Sequence, residues 1–342
     1  MVTDMSEITI KDVALAAGVS VGTASMAINE KKGVSTQTKK KVLTIAKELG
    51  YEPNRYAKAL SLKKTHTIGL IVTDIENPFF GQIISYIQQY LEVYGYDLML
   101  GISGGSVTKE KMIISKFISL RVDGVISVPS HKPVDDFSHF AELQDRNIPL
   151  CFITSYYHGI QAPCVMTDLK MGSYMLTKDL LKKGHKSIVY IVANLSLPLA
   201  ELRVDGYRSA FLETGISFDH NWVVTVEDAS FDGGYNATKK LIKNFLPDAI
   251  FAMNDIMALG AYKCLLEHGY KIPSDISLAG YDDLIYTTLI ETPLTTVQQP
   301  IQKMSEKSVD ILVNQIVVDN FIKEKILLEP KLIIRESTMS KI

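Results

Sequence analysis

From Thr67 to Asp282, short β-rich runs alternate with runs of helical period, and this alternation limits the fold more than any other feature of the chain. TIGLIV (67–72), YDLMLGI (96–102), GVISV (124–128) and PLCFIT (149–154) are separated by three helical runs. These are a helix with Ile83, Ile84, Ile87 and Leu91, one ending at Leu120, and one near 137–146. Strands that alternate with helices form a parallel sheet covered by those helices, since each crossover returns the chain to the same end of the sheet. After about residue 163 the pattern resumes with a helix ending at Gly184-His185, then KSIVYIVA, GYRSAFLETG, WVVTVE, a helix from Tyr235, DAIFAMN, a helix to Gly269, and DISLAGYD. The expected body is α/β, with two doubly wound parallel sheets facing across a cleft. One lobe comprises 65–163 and 297–323, the other 164–296 and 324–338. Ligands of such sheets bind at the C-terminal ends of the strands.

The chain of 342 residues also has room for a smaller domain ahead of this body. Charge marks it out. Residues 1–64 hold 11 Lys and Arg against 6 Asp and Glu, a net +5, so the remainder carries −7 of the overall −2. A basic head on an acidic body suits a polyanion at one end only, although a solvated charged face gives the same count. No apolar run reaches the roughly 18 residues that span a bilayer, and MVTDMSEITIKD lacks the basic and apolar regions of a secretory signal. The expected location is the cytoplasm. Cys151, Cys164 and Cys264 are odd in number, widely spaced and set among apolar residues, which predicts buried free thiols.

Within residues 7–52, Thr9-Ile10-Lys11-Asp12 has the hydroxyl-to-carboxylate spacing of a capping box and opens a run with Ile10, Val13, Ala14 and Ala17 on one face. Gly18 is placed to end that helix and Ser20 to cap the next, VSVGTASMAIN. On a helical period Ala24, Ala27 and Ile28 form one stripe of this second helix, and Gly22, Ser25, Met26 and Asn29 the other. The second stripe is small and uncharged, which suits close approach better than solvation. A third helix begins near Ser35, buries Val42, Ile45, Ala46 and Leu49, and ends at Gly50. Lys39, Lys40 and Lys41 crowd its first turns, where the helix dipole favours an anion such as phosphate. Two short helices joined by a tight turn make a helix-turn-helix, whose second helix lies in a major groove. Apolar and small side chains there meet thymine methyl groups. A three-helix bundle docking on protein fits the spacing equally.

The sequence carries a more specific signal. TIKDVALAAGVS, Thr23, Ser25, Asn29, VSTQT (34–38) and LGYEPN (49–54) resemble the head of the lactose and galactose repressor family. The likeness continues through AKAL (57–60), IGLIV (68–72), NPFF (77–80), NDIMALGA (254–261), IPSDISLAGYDD (272–283) and PLTTVQQP (293–300), in order and over nearly the whole chain. It implies that Val21, Gly22 and Met26 read base edges and that Thr23, Ser25 and Asn29 touch phosphate or the groove wall. Thr9, Ser20, Ser35, Asn54 and Lys58 are further candidate DNA contacts. Relatives often carry polar or basic side chains at the positions of Val21, Gly22 and Met26. Here no bidentate hydrogen bond is on offer, and affinity rests on phosphate.

Residues 53–64 are the expected hinge, proline-initiated and too short for an isolated helix. The resemblance implies a hinge helix that pairs with its dimer mate in the minor groove and wedges Leu60 between base steps; Leu60 as a plain linker anchor is the simpler alternative. For the body, the resemblance implies a fold like that of periplasmic sugar-binding proteins, crossed three times by the chain. Asp74 is a candidate ligand residue because it follows the first strand, and the resemblance gives Phe79 or Phe80, Arg203, Asn254 and Asp282 as effector contacts. Such groups suit a polyhydroxylated ring, while core packing of one phenylalanine and helix capping by Asp255 are the plainer roles.

GISGGS (101–106) lacks the Lys and hydroxyl of a phosphate loop, and the 7 His follow no metal-ligand spacing. With no nucleophile elbow or HExxH either, neither an enzyme nor a cofactor or metal is expected. The reading is a repressor that binds a palindromic operator as a homodimer under control of a small effector, a carbohydrate. A solute-binding transport component is the alternative, and it predicts a signal peptide and no basic head. A phosphorylated protein corepressor, which serves some relatives, is a second kind of partner open to this chain.

Overall fold

Why the alternating body is preceded by alanine-rich helices becomes clear from a computed structural model, which describes residues 8–29, 31–51, 64–130, 137–193, 198–318 and 324–341. They form two units, one ending at Thr65 and one beginning at His66. The hinge candidates Asn54, Lys58 and Leu60 lie outside the described residues.

The first unit contains α1 (Ile10–Ala17), α2 (Val21–Ile28) and α3 (Thr36–Glu48). The Thr9 N–H donates to the Asp12 carboxylate at 2.8 Å, which secures the start of α1. Gly18 ends it at φ 64°, a left-handed conformation that costs glycine little. Ser20 and Ser35 accept from the N–H groups of Thr23 and Thr38, each at 3.1 Å, and so cap α2 and α3. The core is made of small side chains: Val13, Ala14, Ala17, Ala24, Ala27, Val42 and Ala46. Alanines let short helices approach closely, which leaves the outer face of α2 free. Leu49, expected in the stripe of α3, is instead 37% exposed, because it is the C-cap residue and no longer follows the helical face.

In the second unit, β1 (Thr67–Val72), α4 (Pro78–Val93), β2 (Asp97–Ile102), α5 (Val107–Ser119), β3 (Gly124–Ser127), α6 (Ser138–Asp145), β4 (Leu150–Ile153) and β5 (Cys164–Thr167) build the first lobe. The chain then enters the second lobe through α7 (Leu169–Lys182), β6 (Ile188–Ala193), α8 (Pro198–Thr214), β7 (Val223–Val226), α9 (Phe231–Asn244), β8 (Ala249–Ala252), α10 (Asp255–Glu267), β9 (Ser277–Ala279), α11 (Tyr286–Leu289) and β10 (Thr296–Gln298). It returns to the first lobe for α12 (Ile301–Val318) and β11 (Lys325–Leu328), and ends in the second with β12 (Lys331–Ile333). The first sheet has the order β2-β1-β3-β4-β5-β11 and the second β7-β6-β8-β9, both parallel. β10 and β12 pair antiparallel beside them.

Three expected lobe boundaries move. Cys164–Thr167 and Lys325–Leu328 pair with the first lobe rather than the second, and Val297–Gln298 pairs with β12. The four residues of β5 are wholly buried between two neighbours, so they show no alternation to read. Pro330 divides the apolar run ILLEPKLIIRE between β11 and β12, because proline cannot continue a ladder. The GISGGS turn joins β2 to α5, with Gly104 and Gly105 at positive φ and Ser106 as the cap. All three cysteines are free and buried. Phe152 and Cys164 lie opposite each other, so Cys151 faces the other side of the sheet from Cys164.

One apolar cluster runs through both lobes, from Phe117, Phe140 and Phe152 through Leu169 and Leu176 to Tyr190, Tyr207 and Phe251. α7 and α8 pack so tightly that a Cβ on Gly206 would lie 2.0 Å from the Lys170 carbonyl oxygen. Gly206→Ala should therefore force the helices apart and destabilise the body by about 3 kcal/mol. Urea denaturation would measure it, and a change below about 0.5 kcal/mol would contradict this packing.

Candidate functional site

Strand ends and chain crossings meet at one place in the body. Beyond β9 the chain keeps beside β10, with the Asp282 N–H donating to the Val297 carbonyl at 2.8 Å. Asp282 and Asp283 then adopt φ 120° and 58°, a region that non-glycine residues rarely enter. The turn carries the Asp282 carboxyl to Gln299, whose Nε2 donates to it at 2.6 Å. Gln299 in turn accepts from the Thr167 hydroxyl at 2.6 Å. Thr167 ends β5 at the first crossing, and Gln299 follows β10 at the second. A single hydrogen-bonded chain thus joins two crossings to Asp282.

Arg203 faces the same place. It lies in the second turn of α8 and is only 8% exposed, with its guanidinium centre 4.1 Å from the centroid of the Tyr281 ring. It acts on both the Tyr190 hydroxyl and the Asp282 carboxyl. One terminal nitrogen of Arg203 and the Tyr281 hydroxyl have no hydrogen-bond partner among the described residues. An unmet buried donor costs about 1–3 kcal/mol, more when charged, and a ligand that supplies an acceptor recovers it. Burial and the neighbouring Asp255 charge push the Asp282 carboxyl well above the usual carboxylate range, against the pull of Arg203 and Gln299. The place therefore combines a cation with one nitrogen lacking an acceptor and a carboxyl that gains from extra donors.

The other candidates fare differently. Asn254, not Asp255, caps α10: its Oδ1 accepts from the Met257 N–H at 2.7 Å, while its Nδ2 donates to the Ala229 carbonyl at 3.0 Å. Neither of these bonds uses the second amide hydrogen of Asn254. Asp255 lies one residue inside the helix, fully buried, where its carboxylate accepts from the Leu284 N–H and the Thr296 hydroxyl. Asp74 accepts from the Glu76 N–H in a local turn. Phe79 and Phe80 meet edge to face at 5.3 Å, and both are buried in the core beneath α4. No described hydrogen bond or ring contact ties Asp74, Phe79 or Phe80 to the Arg203–Asp282 cluster. Sequence reasoning missed Thr167, Tyr190, Tyr281 and Gln299, although Tyr281 and Gln299 sit inside the quoted runs LAGYDD and TVQQP.

A groove of about 540 Å³ lies between the edge strand β7 and α9, floored by Val224, Val226, Ala237 and Leu241. None of the candidate ligand residues lines it, nor does any buried polar atom lacking a partner.

On the head, Ala24 and Ala27 face inward, whereas Val21 is 44% exposed, Gly22 is exposed and Met26 half-buried. Several hydroxyl and amide groups are engaged locally. The Ser20 and Thr23 hydroxyls are 2.9 Å apart, the Asn29 amide donates to the Ser25 carbonyl at 2.9 Å, and Thr9 and Ser35 serve caps. The presented stripe is Val21, Gly22 and Met26, with Ser25 beside it.

Residues 9–54 match the family model described as "Bacterial regulatory proteins, lacI family", and 65–336 match "Periplasmic binding proteins and sugar binding domain of LacI family". A ribose operon repressor of Haemophilus influenzae is 31% identical over 334 residues, 97% of this chain and 99% of that protein. Among solved structures, a lac repressor dimer bound to operator and the anti-inducer ONPF superposes with a TM-score of 0.86 at 28% identity, covering 98% of this chain and 100% of that one. A complex of the transcriptional regulator CelR with cellobiose gives 0.73 at 29% identity, over 96% and 99%.

Proposed function

We propose that this chain, which belongs to the lacI family of bacterial regulatory proteins, is a transcriptional repressor that binds a palindromic operator as a homodimer and answers to a small carbohydrate held between its lobes. The observation that carries the reading is the buried Arg203 with a nitrogen lacking an acceptor, beside an Asp282 carboxyl tied to two crossings. Sugar hydroxyls donate and accept at once, so one ring can serve both groups. Ribose and cellobiose are natural first candidates, since the names of two relatives mention them.

The head binds DNA with α2 in the major groove, where Val21, Gly22 and Met26 approach base edges without bidentate donors. Thr9, Ser20, Thr23, Ser25, Asn29 and Ser35 hold the backbone geometry and the phosphates around it. Each half-site of a palindrome takes one head, which is why the functional unit is a dimer. Leu60, with Asn54 and Lys58, is assigned to the hinge contact on sequence alone. The body acts by binding rather than turnover, and the protein works in the cytoplasm, where the DNA is. No described helix is long and apolar enough to cross a membrane.

Two experiments test this reading. Affinity for DNA should fall steeply with salt, by about 10³-fold or more between 50 and 200 mM if six phosphates are contacted. Gel shifts at both concentrations measure it, and equal affinity would remove the head from the account. A thermal-shift screen of sugars, sugar phosphates and purines should find a ligand that stabilises the body by about 2.7 kcal/mol at 100 times its Kd. If only purines or phosphorylated compounds shift the transition, the carbohydrate assignment fails.

A further inference from the structure

We propose that Arg335 and Asp255 are positioning residues of the effector site: they grip the 280–284 turn from two sides, so that the Asp282 carboxyl stands toward Arg203 and Gln299. The inference rests on reading Asp282 as an effector contact. Arg335, just past β12, forms an ion pair with the Asp283 carboxylate. It also donates to the Leu294 carbonyl at 2.8 Å and to the Thr287 hydroxyl at 3.2 Å. Asp283 is held a second time by the Gln298 side chain, which donates at 2.8 Å. From the other side, the Asp255 N–H donates to the Tyr281 carbonyl at 2.7 Å, and its carboxylate accepts from the Leu284 N–H at 2.8 Å and the Thr296 hydroxyl at 2.7 Å.

Residues 281, 283 and 284 are thus each fixed by a side chain or backbone group that is not itself offered to a ligand. The two residues at positive φ, Asp282 and Asp283, lie within this gripped stretch. Such a backbone persists only where its surroundings over-determine it, and here the strain is what orients Asp282. Charge points the same way. Three carboxyl groups, Asp255, Asp282 and Asp283, crowd the turn against two guanidinium groups, Arg203 and Arg335. With Arg335 spent on Asp283, Arg203 is left for Asp282 and the ligand. Arg335 also follows the third crossing, while Gln299 stands at the second and Thr167 precedes the first. The turn is therefore linked by hydrogen bonds or an ion pair to a residue at each of the three crossings.

Hydrogen exchange followed by mass spectrometry on the full chain tests the proposal without a ligand. In Arg335→Met, the peptide covering 280–284 should exchange at least tenfold faster, while those covering β6 and β8 keep their rates. Arg335→Lys should fall between, since it restores charge but not the fork. Asp255→Asn should act like Arg335→Met; where it fails to fold, Arg335→Met carries the test. Unchanged exchange at 280–284 overturns the proposal, and so does equal acceleration throughout the second sheet, which marks a general loss of stability. A second arm titrates D-ribose and cellobiose. Whichever binds the unaltered chain should bind Arg335→Met at least tenfold more weakly, and equal affinity again overturns the proposal. If neither sugar binds the unaltered chain, the carbohydrate reading loses support, while the exchange result still decides the role of Arg335.

Discussion

Arg203→Ala should weaken effector binding by about 2–5 kcal/mol and leave operator affinity in the absence of effector nearly unchanged. The size follows from burial. Arg203 is the cation acting on Asp282 from α8, and its ring contact with Tyr281 keeps it fixed where an acceptor is missing. Removing it deletes a charge-assisted donor and leaves the Asp282 carboxyl with less compensation, so the substitution acts twice on the ligand. Lysine should not restore the affinity, because a single ammonium cannot reproduce a planar fork stacked on a ring. The head makes no use of Arg203, hence the intact operator binding. Calorimetry with the sugar found in the thermal screen measures the loss, and unchanged affinity would refute the assignment.

Asp282→Asn should separate stability from function and change how stability depends on pH. Burial and the Asp255 charge hold the Asp282 carboxyl above its ordinary value of 3.8. The folded body then keeps a proton that the unfolded chain releases at lower pH. The stability gained from that proton is complete below the unfolded value and is lost as pH rises toward the folded one, pushed up to about 8. Asparagine keeps an acceptor for Gln299 and never ionises. The variant should be more stable than the unaltered protein at pH 8 by at least about 1.4 kcal/mol, a tenfold change in equilibrium, with the difference vanishing near pH 4. It should also lose its response to effector. Urea denaturation from pH 4 to 8 gives the comparison, and a constant difference across that range would show that Asp282 does not titrate with folding. A ligand that donates to Asp282 favours its ionised form, so effector affinity should rise with pH over the same interval in the unaltered protein.

The lobes were readable because strand and helix periods differ, and TIGLIV and KSIVYIVA could hardly be anything but interior strands. The head was readable from its caps: Thr9 with Asp12, Gly18, Ser20 and Ser35 each leave a local chemical signature, and each does what its position suggests. What the sequence concealed are arrangements made by distant partners. β5 has no period of its own and is defined by β4 and β11, the latter some 160 residues away. Asn254 and Asp255 are both good capping residues, and only the Leu284 N–H and the Thr296 hydroxyl decide which of them turns inward. The helix that carries Arg203 starts at Pro198, before the GYRSAFLETG pattern begins. Gln299 and Thr167 are 132 residues apart, a separation for which no local pattern exists. For Phe79 and Phe80 burial does not separate ligand contact from core packing, since both are buried.

In the function proposed above, one chain joins operator binding to an effector held at Arg203 and Asp282. DNA selected from a random pool by the full-length protein, labelled and followed by fluorescence anisotropy, tests this directly when the sugar from the thermal screen is titrated against the complex. The account predicts that the sugar shifts operator affinity of the unaltered protein at least tenfold, and that Arg203→Ala binds the same DNA equally well but no longer responds. An Arg203→Ala protein that responds at the same sugar concentration as the unaltered one would contradict it.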